Sequence, residues 1–271
     1  MSTTRLEHPC EGCLLDCNPI TNKGHRDARF LVVGKPASIL MGSRNENIPS
    51  ASAKLFERTM HKAGFKKSDF VFTNAVRCGY DPDRLPTKDK RIIETSCREH
   101  LLRRIERMRP EVIIPMGADA AKAVYGRAVK ITKVRGVPDF SEEHDAMILP
   151  IMDPAYVHIY PQHKAIFESD CRTLQRVVGA NYDLEAVEQD MMGEYRQVHD
   201  LQFLIDHPPA VLSFDTETLG TRWQQPRNKI LTMQFCTEEG KAWLISWDHP
   251  DDPASPELKA KYKRQLKQIL Q

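Results

Sequence analysis

The stretch EVIIPMGADAAKAVYG, residues 111–126, sets a strand directly against a helix. EVIIPMG (111–117) is apolar almost throughout and ends in Gly, the pattern of a strand buried on both faces. ADAAKAVYG (118–126) continues as a short helix. Three further apolar runs repeat the strand half of this unit: FLVVG (30–34), FVFTNAV (70–76) and AMILPIM (146–152). Between and after them lie helical patterns, SAKLFERTMHKAGF (52–65), KDKRIIETSCREHLLRRIERMRP (88–110), which Pro110 ends, and HKAIFESDCRTLQRVVG (163–179). Continuously apolar strands alternating with helices predict an α/β fold, a three-layer α/β/α domain around a four-stranded parallel sheet. In such sheets the working residues lie past the carboxyl ends of the strands. That rule selects Gly34 to Ser38 with Lys35 and Pro36, Thr73 to Cys78 with Asn74, Gly117, and Asp153-Pro154-Ala155-Tyr156. KITKVRGVPDF (130–140) reads as a hairpin or ribbon. Its Lys130, Lys133 and Arg135 either contact phosphates or form a solvated basic edge.

The 271-residue chain suits two modest domains, with 41% hydrophobic and 28% charged residues and a net charge of +2. Composition alone therefore makes no case for nucleic acid. No run approaches a membrane span, and MSTTRLEHPCEGC lacks the apolar region of a signal peptide. The expectation is a cytoplasmic, reducing setting with no membrane partner. From residue 181 to 196 the chain turns polar and reads as a connector between a domain over 1–180 and a second unit over 197–271. There QVHDLQFLIDH (197–207) reads as a helix, and AVLSFDTETLG (210–220), KILTMQFCTEEG (229–240) and KAWLISW (241–247) as a meander. SPELKAKYKRQLKQILQ (255–271) begins another helix, and the unit reads as an incomplete domain.

Seven cysteines, three of them in PCEGCLLDC (9–17), bear on cofactors. In a reducing compartment clustered thiols point to metal rather than disulfides. Cys10-x-x-Cys13, Cys78 beyond a strand end and Cys97 on the following helix fit a [4Fe–4S] cluster, a zinc ion, or simple packing of small core side chains. Asn74, at a strand end, offers an amide donor and acceptor to a ligand, or it braces a loop.

In order, CxxC, ARFLVVG, TNAVRC, a helix with a further Cys, RPEVIIPMG and PAY resemble the uracil-DNA glycosylase superfamily, most closely its iron–sulfur family-4 branch, over residues 7–179. The resemblance implies DNA as partner, a [4Fe–4S] cluster on Cys10, Cys13, Cys78 and Cys97, with Cys17 spare, and a base pocket around Gly34, Lys35, Pro36, Asn74 and Asp153 to Tyr156. It also exposes departures. A GEAPG-like motif reads Gly34-Lys35-Pro36-Ala37-Ser38, with Lys for the acid. A GRPF-like segment reads NIPS (47–50), with Ser50 near the Phe position. An HPAY-like motif reads Asp153-Pro154-Ala155-Tyr156. An ionised aspartate repels a departing uracil anion, and supports it only by holding a proton or orienting a water. The expectation is reduced or lost uracil excision, against an active glycosylase for uracil or a modified base.

SFDTETLG (213–220) places Asp215 and Glu217 on one face of a strand, where paired carboxylates favour a divalent cation. With the strands that follow, it is similar to the first motif of DnaQ-like 3′–5′ exonucleases, an RNase H-like fold with a mixed sheet, and most similar to the proofreading domain of family-A DNA polymerases. This implies Mg²⁺ or Mn²⁺, single-stranded or primer-template DNA, an incomplete ligand set here, and completion by the remaining polymerase polypeptide. The fused order resembles some bacteriophage polymerases, which implies a host cytoplasm.

Overall fold

The computed structural model describes residues 10, 13–15, 19–219, 229–238 and 240–271. Cys17 and residues 220–228 lie outside them. The chain divides into two compact units, Met1–Leu184 and Glu185–Gln271.

Unit 1 holds β1 (Lys23–Gly24), β2 (Phe30–Gly34), α1 (Ile39–Arg44), α2 (Ser50–Lys62), β3 (Phe70–Asn74), α3 (Thr87–Met108), β4 (Val112–Pro115), α4 (Ala118–Tyr125), α5 (Ile131–Val134), β5 (Asp139–Ser141), β6 (Ala146–Ile148), α6 (Pro154–Ile159) and α7 (Lys164–Gly179). Its sheet runs β1-β3-β2-β4-β6-β5. The inner four strands are parallel, while β1 and β5 pair antiparallel at the edges. The sheet is thus six-stranded and mixed, where the sequence led us to expect four parallel strands alone. The edge strands have two and three residues, too short to carry a readable period. Residues of β2, β3, β4 and β6 are buried at every position, which accounts for their unbroken apolar runs. On one side Leu31, Val33, Val71 and Ile113 pack with Leu101, Ile105, Ala120 and Val124 of α3 and α4.

The chain passes from β2 to β3 on one side and later reaches β4 on the other. The crevice beyond the carboxyl ends of β2 and β4 is therefore a topological switch point, where α/β sheets bind ligands. Lys35 follows β2 and Gly117 follows β4.

KITKVRGVPDF is not a ribbon. Its ITKV forms α5, and only Asp139 onward enters a strand. Gly136 adopts φ +70°, and an added Cβ would stand 2.6 Å from Asp170 Oδ1. That close turn, rather than β propensity, sets the local backbone.

Unit 2 holds most of α8 (Leu184–Met192), β7 (Glu194–Gln197), α9 (Gln202–Asp206), β8 (Ser213–Thr218), β9 (Ile230–Glu238), β10 (Lys241–Ser246) and α10 (Pro256–Ile269). Its sheet runs β7-β10-β9-β8, with the expected antiparallel meander and β7 parallel to β10 at its side. The segment read as a connector therefore contains a helix and a sheet strand. The helix expected over 197–207 is confined to α9. Leu201, Leu204, Phe235, Ile245 and Tyr262 form the core.

Candidate nucleic-acid site

Asn74 ends β3 and is 2% exposed. Its Nδ2 donates to the carbonyls of Lys35 (2.9 Å) and Asn47 (2.7 Å), and its Oδ1 accepts from Asn47 Nδ2 (3.1 Å). Two carbonyl partners fix which end of the amide is nitrogen. Gly34 makes this approach possible, since a Cβ there would lie 2.8 Å from Asn74 Nδ2. The side chain thus braces the Gly34-Lys35-Pro36 loop to the NIPS segment. Asn47 was missed by sequence reasoning, although it heads NIPS. It is 3% exposed, and its Oδ1 has no hydrogen-bond partner. Asn47 and Ser50 line a cleft of about 230 Å³ with Phe70 and Phe72.

Asp153 is the N-cap of α6. Its Oδ1 accepts from Ala155 N (2.8 Å), and Pro154, which has no N–H to satisfy, occupies the first helical turn. Its Oδ2 lies 3.5 Å from Lys35 Nζ. The two altered motif positions therefore meet across the crevice as an ion pair, with side chains 45% and 22% exposed. Gly117, at φ +85°, leaves room for Asp153, because a Cβ there would stand 3.2 Å from that of Asp153. Tyr156 is exposed and packs at a 43° tilt against Tyr160 (4.6 Å between ring centroids) and His163 (5.3 Å). Such exposed rings suit unpaired bases. Pro36 lines a small cleft with Ala75 and Val76.

The basic segment divides. Lys133 is exposed on α5. Arg135 is engaged by the fold itself. Its Nη1 donates at 2.6 Å to Asp170, which is 2% exposed and also accepts from Met152 N at 3.0 Å. Burial raises the Asp170 carboxyl above its usual value, while the Met152 N–H and Arg135 oppose that rise. Arg135 and Asp170 thus hold the backbone immediately before Asp153.

No disulfide joins the described cysteines. Cys78 and Cys97 are buried, Cys13 packs beside Cys97, Val76, Tyr80 and Ile93, and Cys10 Sγ lies 3.2 Å from His100 Nε2. Arg77 ties the arm to the TNAVRC turn: its guanidinium donates twice to the Ile20 carbonyl (2.9 and 2.7 Å), and its own carbonyl accepts from Ile20 N. Burial pushes the Cys97 thiol up to about 11, against an opposing hydrogen bond from the Arg77 backbone. Among the described residues no three Cys, His, Asp or Glu side chains converge as a single ion requires. A zinc site would bring four ligands around one point at about 2.3 Å for sulfur. A four-iron cluster instead binds each thiolate to a different iron and takes all its protein ligands from cysteine. Cys10 and Cys13 near the N-terminus, Cys78 after β3 and Cys97 on α3 offer an all-thiolate donor set, which suits the soft irons of such a cluster.

In unit 2, Asp215 and Glu217 are exposed on β8, opposite Gln234 and Thr232. Asp215 Oδ1 accepts from Thr216 N at 2.9 Å. No third metal-ligating side chain joins them among the described residues, so a two-metal site is not assembled there. No helix among the described residues is long and apolar enough to cross a membrane.

Residues 21–176 match the uracil DNA glycosylase superfamily. A type-4 uracil-DNA glycosylase of Thermotoga maritima is 28% identical over 152 residues, 55% of this chain and 77% of that protein. One from Archaeoglobus fulgidus is 26% identical over 168 residues, 60% of this chain and 83% of that protein. The match takes in the parallel strands, the Asn74 brace and the Asp153 turn that form the crevice, and the chain belongs to the uracil-DNA glycosylase superfamily.

Proposed function

We propose that unit 1 is a DNA-binding domain that keeps the glycosylase scaffold and has lost most uracil excision. The observation that carries this reading is the commitment of both Asp153 oxygens, one to the α6 backbone and one to Lys35. A glycosylase must stabilise the base as it leaves as an anion. A carboxylate about 4 Å from that anion opposes it by about 4 kcal/mol at an effective dielectric of 20. That is about three decades of rate. Lys35 offsets part of this repulsion, but its charge is already shared with Asp153. Cys10, Cys13, Cys78 and Cys97 would hold a [4Fe–4S] cluster, which ties the N-terminal arm to the TNAVRC turn and α3.

The relatives are uracil-DNA glycosylases, which favours a second reading, an active glycosylase for uracil or a modified base. A single-stranded uracil oligonucleotide separates the two. Salt-dependent binding without free uracil supports the first reading, and release at the pace of an ordinary glycosylase supports the second.

For unit 2 the reading is the opening of a 3′–5′ exonuclease, as in the N-terminal part of a DNA polymerase. Its support is the Asp215–Glu217 spacing on an exposed strand next to a meander. Two carboxylates with no third ligand among the described residues do not support a hydrolytic step, so turnover belongs to a completed site.

A further inference from the structure

Lys35 and Asp153 are read above as the loss of an activity, yet an amine and a carboxylate 3.5 Å apart are also reagents. They lie at the switch-point crevice of the sheet. The helices that follow their two loops present exposed apolar and aromatic side chains: Ile39 and Leu40 on α1, Tyr156 and Ile159 on α6, and Tyr160 beyond it. Such a rim can seat a strand whose bases stack outside the crevice. A nucleotide that lacks its base would bring only its sugar up to the Lys35–Asp153 pair. The ring-opened form of that sugar carries an aldehyde at C1′, and lysine amines condense with carbonyl carbons.

We propose that Lys35 captures abasic sites in DNA as a reversible imine, with Asp153 as its proton carrier; this rests on unit 1 binding DNA as read above. The Lys35 Nζ forms a double bond to C1′. Two of the three ammonium protons leave with the aldehyde oxygen as water, and the third stays on nitrogen, so the positive charge is conserved in the iminium. Asp153 takes a proton from the attacking nitrogen and returns it to the departing oxygen, and its carboxylate then faces the iminium. Water reverses the step, and the lysine is regenerated without any oxidant or reductant.

The test uses the full chain and a labelled single strand with one abasic site, prepared beforehand with a separate glycosylase. Borohydride donates hydride to an iminium and fixes it as a secondary amine, which a denaturing gel resolves and peptide mass spectrometry maps. The expected result is an adduct at Lys35. Lys35→Arg keeps the charge but forms no such imine under these conditions, and is expected to give no adduct even at protein concentrations that saturate the strand. Asp153→Asn keeps a capping side chain and removes the carboxylate, and is expected to slow capture at least tenfold. Binding without any adduct overturns the imine and leaves the DNA-binding reading standing, whereas failure to bind overturns both. An adduct that maps to another amine, or that survives Lys35→Arg, also overturns the proposal.

Discussion

Arg135→Met tests whether Arg135 serves the fold or the DNA. In the structure its guanidinium meets the Asp170 carboxylate at 2.6 Å, and Asp170 is 2% exposed. Removing one partner of a buried pair leaves an uncompensated charge, at a cost of about 3–5 kcal/mol. Arg135 itself is 28% exposed, and Asp170 keeps the Met152 N–H, so the lower end, about 3 kcal/mol, applies at pH 7.5. The cost has a pH signature. Burial raises the Asp170 carboxyl, and loss of Arg135 removes an opposing influence. A carboxyl raised on folding contributes stability that is fully present below its unfolded value and lost as pH rises through its folded value. The deficit of the variant therefore narrows toward pH 5. Urea unfolding at the two pH values measures it. A loss below about 1 kcal/mol at pH 7.5, with weaker DNA binding, would refute the structural role and restore Arg135 as a phosphate contact.

Further outcomes follow from the same contacts. Asn74→Ala strands the Lys35 and Asn47 carbonyls and the Asn47 amide, so it is expected to cost about 3 kcal/mol, at about 1 kcal/mol for each partner, in denaturant unfolding. An unchanged midpoint would show that the brace is not held. Burial raises the Glu111 carboxyl, but hydrogen bonds from Arg29 and Tyr182 outweigh this and hold it below its usual value. Its contribution is present above about pH 4.3 and disappears as pH falls through the lower folded value. Glu111→Gln should therefore cost under about 1 kcal/mol at neutral pH and nothing in strong acid, read from acid unfolding curves. Cys97→Ser is expected to strip iron and visible absorption from protein prepared anaerobically. A folded parent protein that is colourless and iron-free would remove the cluster.

The strands of unit 1 were legible because burial on both faces leaves an unbroken apolar run, as in FLVVG and EVIIP. Asn74 and Asp153 were legible as residue types past strand ends, and the cysteines by their clustering and spacing. Their partners were not. The Lys35–Asp153 pair depends on β2 and β6 lying either side of β4, which no local pattern reports. The Asn47–Asn74 lock likewise joins two loops across the fold. ITKV was misread because four residues cannot separate a period of 3.6 from one of 2, and the buried Arg135–Asp170 contact decides the matter. EYRQ in β7 was missed because all four residues are exposed and carry no apolar alternation.

The proposed exchange of uracil excision for the Lys35–Asp153 pair is open to direct assay. Its most direct test counts abasic sites formed in a single-stranded uracil oligonucleotide by the parent protein, by Asp153→His, and by the double variant Lys35→Glu/Asp153→His. The parent is expected to form abasic sites about three decades more slowly than an ordinary glycosylase, with the strand still bound, and one or both variants are expected to gain rate. Release of uracil by the parent at the pace of an ordinary glycosylase, slowed by either change, would contradict this expectation and make Asp153 part of a working glycosylase.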